Sequence, residues 1–303
     1  MEYDLIIVGA GPAGLSAGLY ASRAGMNTII FEKAIVGGQM AQTLEIENYP
    51  GFTESDAFQL VEKMKNQTTN FGAKIILKEV TKIDFKKRII YTSNDKYKTK
   101  AIILATGSQP RKLGIKGEIE FAGRGVSYCA TCDGAFFRDL NIAVIGGGNS
   151  AVEEAVFLTR FAKKVYIVHR RDNLRATKIE QEKAFKNDKI KMVWNSTPKE
   201  IKGDDAVKEL VIENTISKKN SILKVDGVFF YVGLLANSQL ADKNIKKDKT
   251  GFILSDASMK TKIEGVFVAG DVISKTLRQV VTAVSDGATA AVEAEKYLGL
   301  TYR

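Results

Sequence analysis

A glycine-rich six-residue pattern occurs twice in this chain of 303 residues, each time inside the same succession of elements. Residues 4–8, DLIIV, form a short β-branched run. GAGPAG follows at 9–14, then a helical stretch from Leu15 to about Arg23, then NTIIFE, a second strand ending at Glu32. Residues 141–145, NIAVI, lead in the same way into GGGNSA at 146–151, a helical stretch from Val152 to about Phe161, and VYIVH, ending at His169. Apolar runs of this length, bounded by glycine, read as strands buried on both faces of a parallel sheet. The glycines stand where a dinucleotide requires them. Gly9 makes the tight turn, Gly11 lets the backbone approach a pyrophosphate, and Gly14 lets the helix pack closely on the strand. The pyrophosphate then rests on free N–H groups at the helix start. Gly146, Gly148 and Ala151 repeat the three positions. A chain carrying this unit twice is predicted to be α/β, with two Rossmann-like, three-layer nucleotide-binding domains.

The two units differ at one informative place. Glu32 and His169 stand 137 residues apart, as the two fingerprints do, so each ends the second strand of its unit. A carboxylate there accepts hydrogen bonds from ribose hydroxyls and repels a 2′-phosphate. Guanidinium groups there bind a 2′-phosphate through paired charge-assisted bonds. Arg170 and Arg171 follow His169 directly, and Arg175 is close enough to join them. The first unit is therefore expected to take a dinucleotide with a plain ribose, and the second to prefer NADP(H) over NAD(H). RRDNLR could also be only a charged surface loop, but its position at the end of the strand weighs against that. Two dinucleotides in one enzyme point to a nicotinamide that delivers hydride and a flavin that accepts it; a flavin can pass electrons on to a disulfide.

The only cysteines, Cys129 and Cys132, lie in YCATCDG. At this spacing they could be half of a metal site, a structural staple or a redox catalyst. A zinc site usually needs four ligands rich in Cys and His. The single histidine lies 37 residues past Cys132, so no metal is expected. Two neighbouring cysteines are no extracellular disulfide framework, which favours a reducing compartment, the cytoplasm. Residues 5–22 carry no charge and approach the length of a membrane span. Gly9, Gly11, Pro12 and Gly14 interrupt them, however, and no basic segment precedes them as a secretory signal requires. The net charge of +10 comes from scattered basic pairs and triplets such as Lys86–Lys87–Arg88 and Lys163–Lys164. No long or aromatic-interleaved basic run stands out. A solvated basic surface is expected rather than a nucleic-acid site, and such a face suits an acidic protein partner.

In chain order, GAGPAG, GGQ at 37–39, ENYPGF at 47–52, ATG at 105–107 and GRGVSYCATCDG at 123–134 are followed by GGGNSAVEEA at 146–155, HRRDNLRA at 169–176, GVFVAGDV at 265–272 and RQVVTA at 278–283. Over essentially its whole length the chain resembles the low-molecular-weight, bacterial-type thioredoxin reductases, class II pyridine nucleotide-disulfide oxidoreductases. The first fingerprint is shared by many flavoproteins; CATCD with a second fingerprint just behind it is far more specific. The resemblance implies an NADPH-dependent thioredoxin-disulfide reductase that passes electrons from NADPH through FAD and a Cys129–Cys132 disulfide to oxidised thioredoxin. It also implies a homodimer. The FAD domain is expected to be discontinuous, residues 1–112 and 244–303, with the NADPH domain, 113–243, inserted. The crossings would be SQPRKLGIKG at 108–117 and LLANSQLADK at 234–243. In the family the inserted domain rotates, so that the flavin meets nicotinamide and disulfide in turn.

Residue by residue, the resemblance places Gly9, Gly11, Pro12, Ala13, Gly14, Glu32 and Lys33 at the FAD adenosine and pyrophosphate. Gly38, Gln39, Asn48, Thr106 and Gly107 lie around the flavin. Gly270 and Asp271 hold the ribityl chain. Arg278, Gln279 and Val280 open a C-terminal helix, to about Leu298, whose N–H groups approach the isoalloxazine ring. Gly146, Gly148, Asn149, Ser150, Ala151, His169, Arg170, Arg171 and Arg175 form the NADPH set. Cys132 is implied to face the flavin, Cys129 to attack thioredoxin, and Asp133 to handle protons; in CDGAFF, Asp133 could instead be a helix cap. Two departures, Ala236 where relatives commonly carry Pro and Ser150 where Thr is frequent, leave the chemistry untouched. The competing functions are an FAD/NADPH-binding redox sensor without turnover and a reductase of another small dithiol protein.

Overall fold

A computed structural model describes residues 2–42, 46, 48–54 and 56–299. The chain forms two compact units, Met1–Gln109 with Leu234–Arg303, and Pro110–Gly233. In chain order the first unit runs β1 (Glu2–Val8), α1 (Pro12–Arg23), β2 (Thr28–Glu32), α2 (Ala57–Asn70), β3 (Lys74–Leu77), β4 (Val80–Asp84), β5 (Ile89–Thr92), β6 (Lys96–Leu104) and β7 (Ser108–Pro110). The second runs β8 (Val126–Ser127), α3 (Ala130–Asp133), β9 (Asn141–Ile145), α4 (Asn149–Leu158), β10 (Lys164–Val168), α5 (Lys178–Phe185), β11 (Ile190–Val193), β12 (Ser196–Gly203), β13 (Val207–Asn214), β14 (Asn220–Lys224) and β15 (Gly227–Phe230). The chain then returns to the first unit with β16 (Leu234–Ala236), β17 (Val266–Val268) and α6 (Val280–Tyr297).

In the first unit β1 lies between β2 and β6, parallel to both, with Val8 beside Phe31 and Leu104. β3 extends the parallel sheet beyond β2. β17 joins the C-terminal part of β6, while β5 and then β4 pair antiparallel from its N-terminal part. Leu5, Ile7, Ile30, Ile103 and Phe267 pack under α1 and α6 on one face; Ile6, Val8, Ile29, Phe31, Ile102 and Leu104 fill the other. Burial of both faces is the reason the strands read as unbroken apolar runs. α1 and α6 meet through small residues, and a Cβ on Gly287 would stand 2.1 Å from the Ala13 carbonyl oxygen. That close approach brings the start of α6 to the first fingerprint.

The second unit repeats the plan with a five-stranded sheet in the order β11-β10-β9-β15-β8 and a separate meander β12-β13-β14. Ile145 lies beside Val168 and Phe230, so three parallel strands end together at the second fingerprint.

Helix boundaries differ from the expectations in three places. α1 begins at Pro12, not Leu15, because proline suits the first helical position and Gly11 supplies the extended cap. α4 begins at Asn149 and ends at Leu158; the N–H groups of Thr159, Arg160 and Phe161 bond three residues back, tightening the chain out of the helix. α6 begins at Val280. Arg278 lies outside it and Gln279 caps it, with the Gln279 N–H donating to Thr282 Oγ1 at 3.2 Å. Residues 234–243 lie with the first unit. β16 pairs with β7, and Asn237 is tied to Thr106: the Thr106 hydroxyl donates to the Asn237 carbonyl at 2.6 Å, and Asn237 Nδ2 to the Thr106 carbonyl at 3.0 Å.

Candidate active site

β8 leads into a turn that ends at Cys129, the N-cap of the one-turn helix α3. Cys132 stands one turn later, the two sulfurs are bonded, and the Cα atoms are 5.3 Å apart. Helical spacing of three brings the side chains to one face, within disulfide range without backbone movement. Asp133 follows directly. Its Oδ2 accepts from the Ser127 hydroxyl at 2.5 Å. Burial pushes the Asp133 carboxyl above the ordinary carboxylate range, and the Ser127 bond opposes this. Asp133 stands at the N-cap position of the 3-10 turn Gly134–Phe137, but its side chain makes no cap bond there.

Tyr231, just past β15, accepts the Ala130 N–H on its phenolic oxygen at 2.6 Å. Burial first, then the charges of Glu154 and Asp133, drives the Tyr231 hydroxyl well above its usual range. Glu154, from α4, is itself raised by burial and by Glu153. On the other side, Tyr128 donates to Glu118 at 2.9 Å. That fully buried carboxylate also accepts the N–H groups of Leu113, Gly114 and Ile115 at 3.1, 2.7 and 3.3 Å. The Cys-Ala-Thr-Cys turn is thus held from two directions, and burial keeps the adjacent Asp133 carboxyl basic.

At the first fingerprint, Gly9 has φ +108°, and a Cβ there would stand 2.3 Å from the Ala105 carbonyl oxygen. This packs the loop against the 105–107 segment that holds Thr106 and Gly107. A Cβ on Gly14 would stand 1.8 Å from the Gly9 carbonyl oxygen, whereas one on Gly11 would meet nothing within 4 Å. The Glu32 carboxylate is held at the tip of β2 by the N–H groups of Ala10 at 2.9 Å and Ala34 at 3.0 Å. Gly38 comes beside Gly11, and Gln39 Nε2 donates to the Ser108 carbonyl at 2.6 Å. Asn48 Nδ2 donates to Gln279 Oε1 at 3.1 Å, joining two distant segments at the start of α6. Gly270 is packed against Ala13. Asp271 Oδ1 is buried without a hydrogen-bond partner, 3.5 Å from the Lys275 ammonium. Burial raises the Asp271 carboxyl against the pull of Lys275 and Arg278. The Arg278 guanidinium lies over the Phe252 ring at 4.1 Å and donates to the Lys275 and Ile273 carbonyls. Lys33 is exposed at the rim.

At the second fingerprint the Gly146 carbon has no room for a Cβ, which would stand 2.6 Å from Ala151 Cβ, while one on Gly148 would meet nothing within 4 Å. His169 does not point outward as Glu32's counterpart would. Its ring lies against Gly147, where a Cβ would stand 2.4 Å from the imidazole. Burial first, then Arg175, Arg170 and Arg171, holds His169 below its usual range, neutral under the loop. All three arginines are exposed, and their charges act on His169. Arg175 is drawn in by its N–H donating to the Gly147 carbonyl at 2.7 Å, and Asn149 Oδ1 accepts the Thr177 N–H at 2.8 Å.

Both loops suit a dinucleotide. α1 and α4 start at uncapped glycines with no acidic residue in the first turn, leaving N–H groups for an anion beside open space at Gly11 and Gly148. Among the described residues no His, Cys, Asp and Glu cluster could hold a metal ion, and no helix is long and apolar enough to cross a membrane.

Residues 3–287 match the pyridine nucleotide-disulphide oxidoreductase profile. The chain belongs to that family. It is 48% identical over 305 residues to the thioredoxin reductase of Peptoclostridium acidaminophilum, covering 98% of this chain and 97% of that one. It is 46% identical over 301 residues to that of Bacillus subtilis strain 168, covering 98% and 95%. The crystal structure of thioredoxin reductase from Streptococcus pyogenes MGAS5005 superposes with a TM-score of 0.91 at 46% identity, over 98% of each chain. Membership in the pyridine nucleotide-disulphide oxidoreductases makes the Cys129–Cys132 pair a redox disulfide and calls for a flavin and a pyridine nucleotide. Three parts of the site escaped sequence reasoning: Ser127, Tyr231 and Glu118. Ser127 was within reach, two positions before Cys129. Tyr231 was not, because only strand pairing in space brings it to Ala130.

Proposed function

We propose that the protein is an NADPH-dependent thioredoxin reductase, with FAD held by the first unit, NADP(H) by the second, and thioredoxin as the disulfide substrate. The observation that carries this is a redox disulfide next to a half-buried carboxyl raised by burial, in the same unit as a glycine loop followed by three exposed arginines. A bound flavin supplies two-electron exchange between a nicotinamide and a disulfide. Glu32 and the loop at Gly9–Gly14 would hold its adenosine and pyrophosphate, and the unpartnered Asp271 oxygen would take a ribityl hydroxyl. Gly146–Ala151 would cradle the nicotinamide dinucleotide's pyrophosphate, and Arg170, Arg171 and Arg175 its 2′-phosphate.

The acceptor half-reaction follows from the side chains. The Asp133 carboxylate takes the Cys129 proton, and the thiolate attacks one sulfur of the partner's disulfide. The S–S bond breaks, a mixed disulfide forms, and the leaving sulfur takes the proton back from Asp133. Cys132, deprotonated in the same way, displaces the second sulfur and restores the Cys129–Cys132 bond. Two electrons and two protons pass to the partner. A carboxyl raised by burial suits both directions of this transfer near neutral pH.

Asp133→Asn is expected to slow thioredoxin reduction by about 10²-fold, in keeping with loss of a general acid–base. Because the proton that Asp133 takes from Cys129 is the one it returns to the leaving sulfur, the wild-type rate falls as pH rises and the Cys129–Asp133 pair loses that shared proton. That limb should vanish in Asp133→Asn; a limb that survives unchanged removes Asp133 from the mechanism.

The whole reading is tested by anaerobic titration with NADPH and then oxidised thioredoxin. NADPH should bleach the yellow protein and thioredoxin disulfide restore it, with sustained turnover when both are present. Colour restored by no thioredoxin, or a single turnover only, overturns it. The reading includes a cytoplasmic homodimer, with no nucleic-acid or membrane partner. Exposed apolar side chains at Ile35, Phe58 and Leu77 favour self-association. Light scattering should give twice the chain mass of 33.2 kDa, and a monomer mass refutes the dimer.

A further inference from the structure

The Ser127 hydroxyl bonds in two directions at once. It lies 2.5 Å from Asp133 Oδ2, accepts the Cys129 N–H at 3.1 Å, and stands 3.3 Å from the Cys129 carbonyl oxygen. Ser127 is 4% exposed, so water does not compete for these bonds. A hydroxyl has one proton and two acceptor positions, and its proton rotates. With Asp133 ionised, Ser127 donates to the carboxylate. With Asp133 protonated, the acid donates to Ser127, whose own proton turns to the Cys129 carbonyl. The carboxyl keeps a partner in both states, and that partner is tied to the backbone of the thiol it serves.

We propose that Ser127 is the positioning residue for the acid–base of this site, a rotating hydroxyl that fixes Asp133 against Cys129 through both halves of each proton transfer. This deepens the proposed reductase reading and rests on it for the rate measurements. From the segment after β15 the Tyr231 hydroxyl feels both Asp133 and Glu154, and α4, which carries Glu154, packs on α3. Among the described residues no cation acts on Asp133. Ser127 is the one group that favours its charged form, so its removal raises the carboxyl further.

A double-mutant cycle on the flavin-loaded enzyme tests this. Ser127→Ala should lower thioredoxin turnover about tenfold in the Asp133 background, a fraction of the general acid–base effect, and by less than about twofold in the Asp133→Asn background. Its alkaline limb should move to higher pH, while the rate of flavin bleaching by NADPH stays at the wild-type value. A second readout needs neither nicotinamide nor thioredoxin. In protein reduced with dithiothreitol, the pH profile of Cys129 alkylation by iodoacetamide should shift with Ser127→Ala and not in the Asp133→Asn background. Additive losses, or a fallen rate with unmoved profiles, overturn the proposal and leave Ser127 a structural residue. Failure of wild-type enzyme to turn over thioredoxin refutes the reductase reading instead, and the alkylation profiles then decide on Ser127 by themselves.

Discussion

Cys129→Ser should abolish thioredoxin reduction, with a loss of at least about 10³-fold, the scale seen when a catalytic nucleophile is removed. A serine hydroxyl ionises far above neutral pH and cannot form the mixed disulfide, so no weaker version of the same step remains. Bleaching of the flavin by NADPH should persist, because Cys129 belongs to the acceptor side. The fold should survive as well. Closing so short a loop constrains the unfolded chain by about 2 kcal/mol in the chain-entropy description, and the turn keeps its bonds to Ser127 and Tyr231. The measurement is a stopped-flow comparison of flavin bleaching with steady-state turnover in one preparation. Turnover within about tenfold of wild type would mean that another group is the nucleophile.

Removing both Arg170 and Arg171 should raise the KM for NADPH by about 10²–10³-fold, two charge-assisted bonds at roughly 1.5–3 kcal/mol each, with some recovery from Arg175. The KM for NADH should change by less than about threefold, since these side chains have no 2′-phosphate to bind there. The arginines are exposed just past the end of β10, while His169 stays neutral against Gly147. The double substitution therefore removes charge without opening the core. Equal losses for the two nucleotides would show that the arginines only support the loop.

His169 shows where reading by analogy stops. Its place matches Glu32, and it was expected in the NADPH set with the arginines. Glu32 can reach out because two backbone N–H groups hold its carboxylate. The imidazole instead fills the space that Gly147 leaves by having no Cβ. The crossing at 233/234 was obscured for a similar reason. LLANSQLADK has the composition of a linker, yet Leu234–Ala236 pair with β7 and Asn237 closes on Thr106.

The sequence by itself determined the two βαβ units, the glycines that admit a pyrophosphate, the contrast between one carboxylate and three guanidiniums, and the spacing of the redox pair. All of these are local: they depend on φ, on Cβ volume and on residues within one strand–turn–helix unit, so a linear reading captures them. Only the tertiary structure decided how the acid is mounted and how basic it is. Asp133 is raised by burial among elements far apart in the chain, and Tyr231 reaches Ala130 across 101 positions because β15 pairs between β9 and β8. Burial and hydrogen-bond partnership are properties of what surrounds a group in space, and no spacing along the chain encodes them.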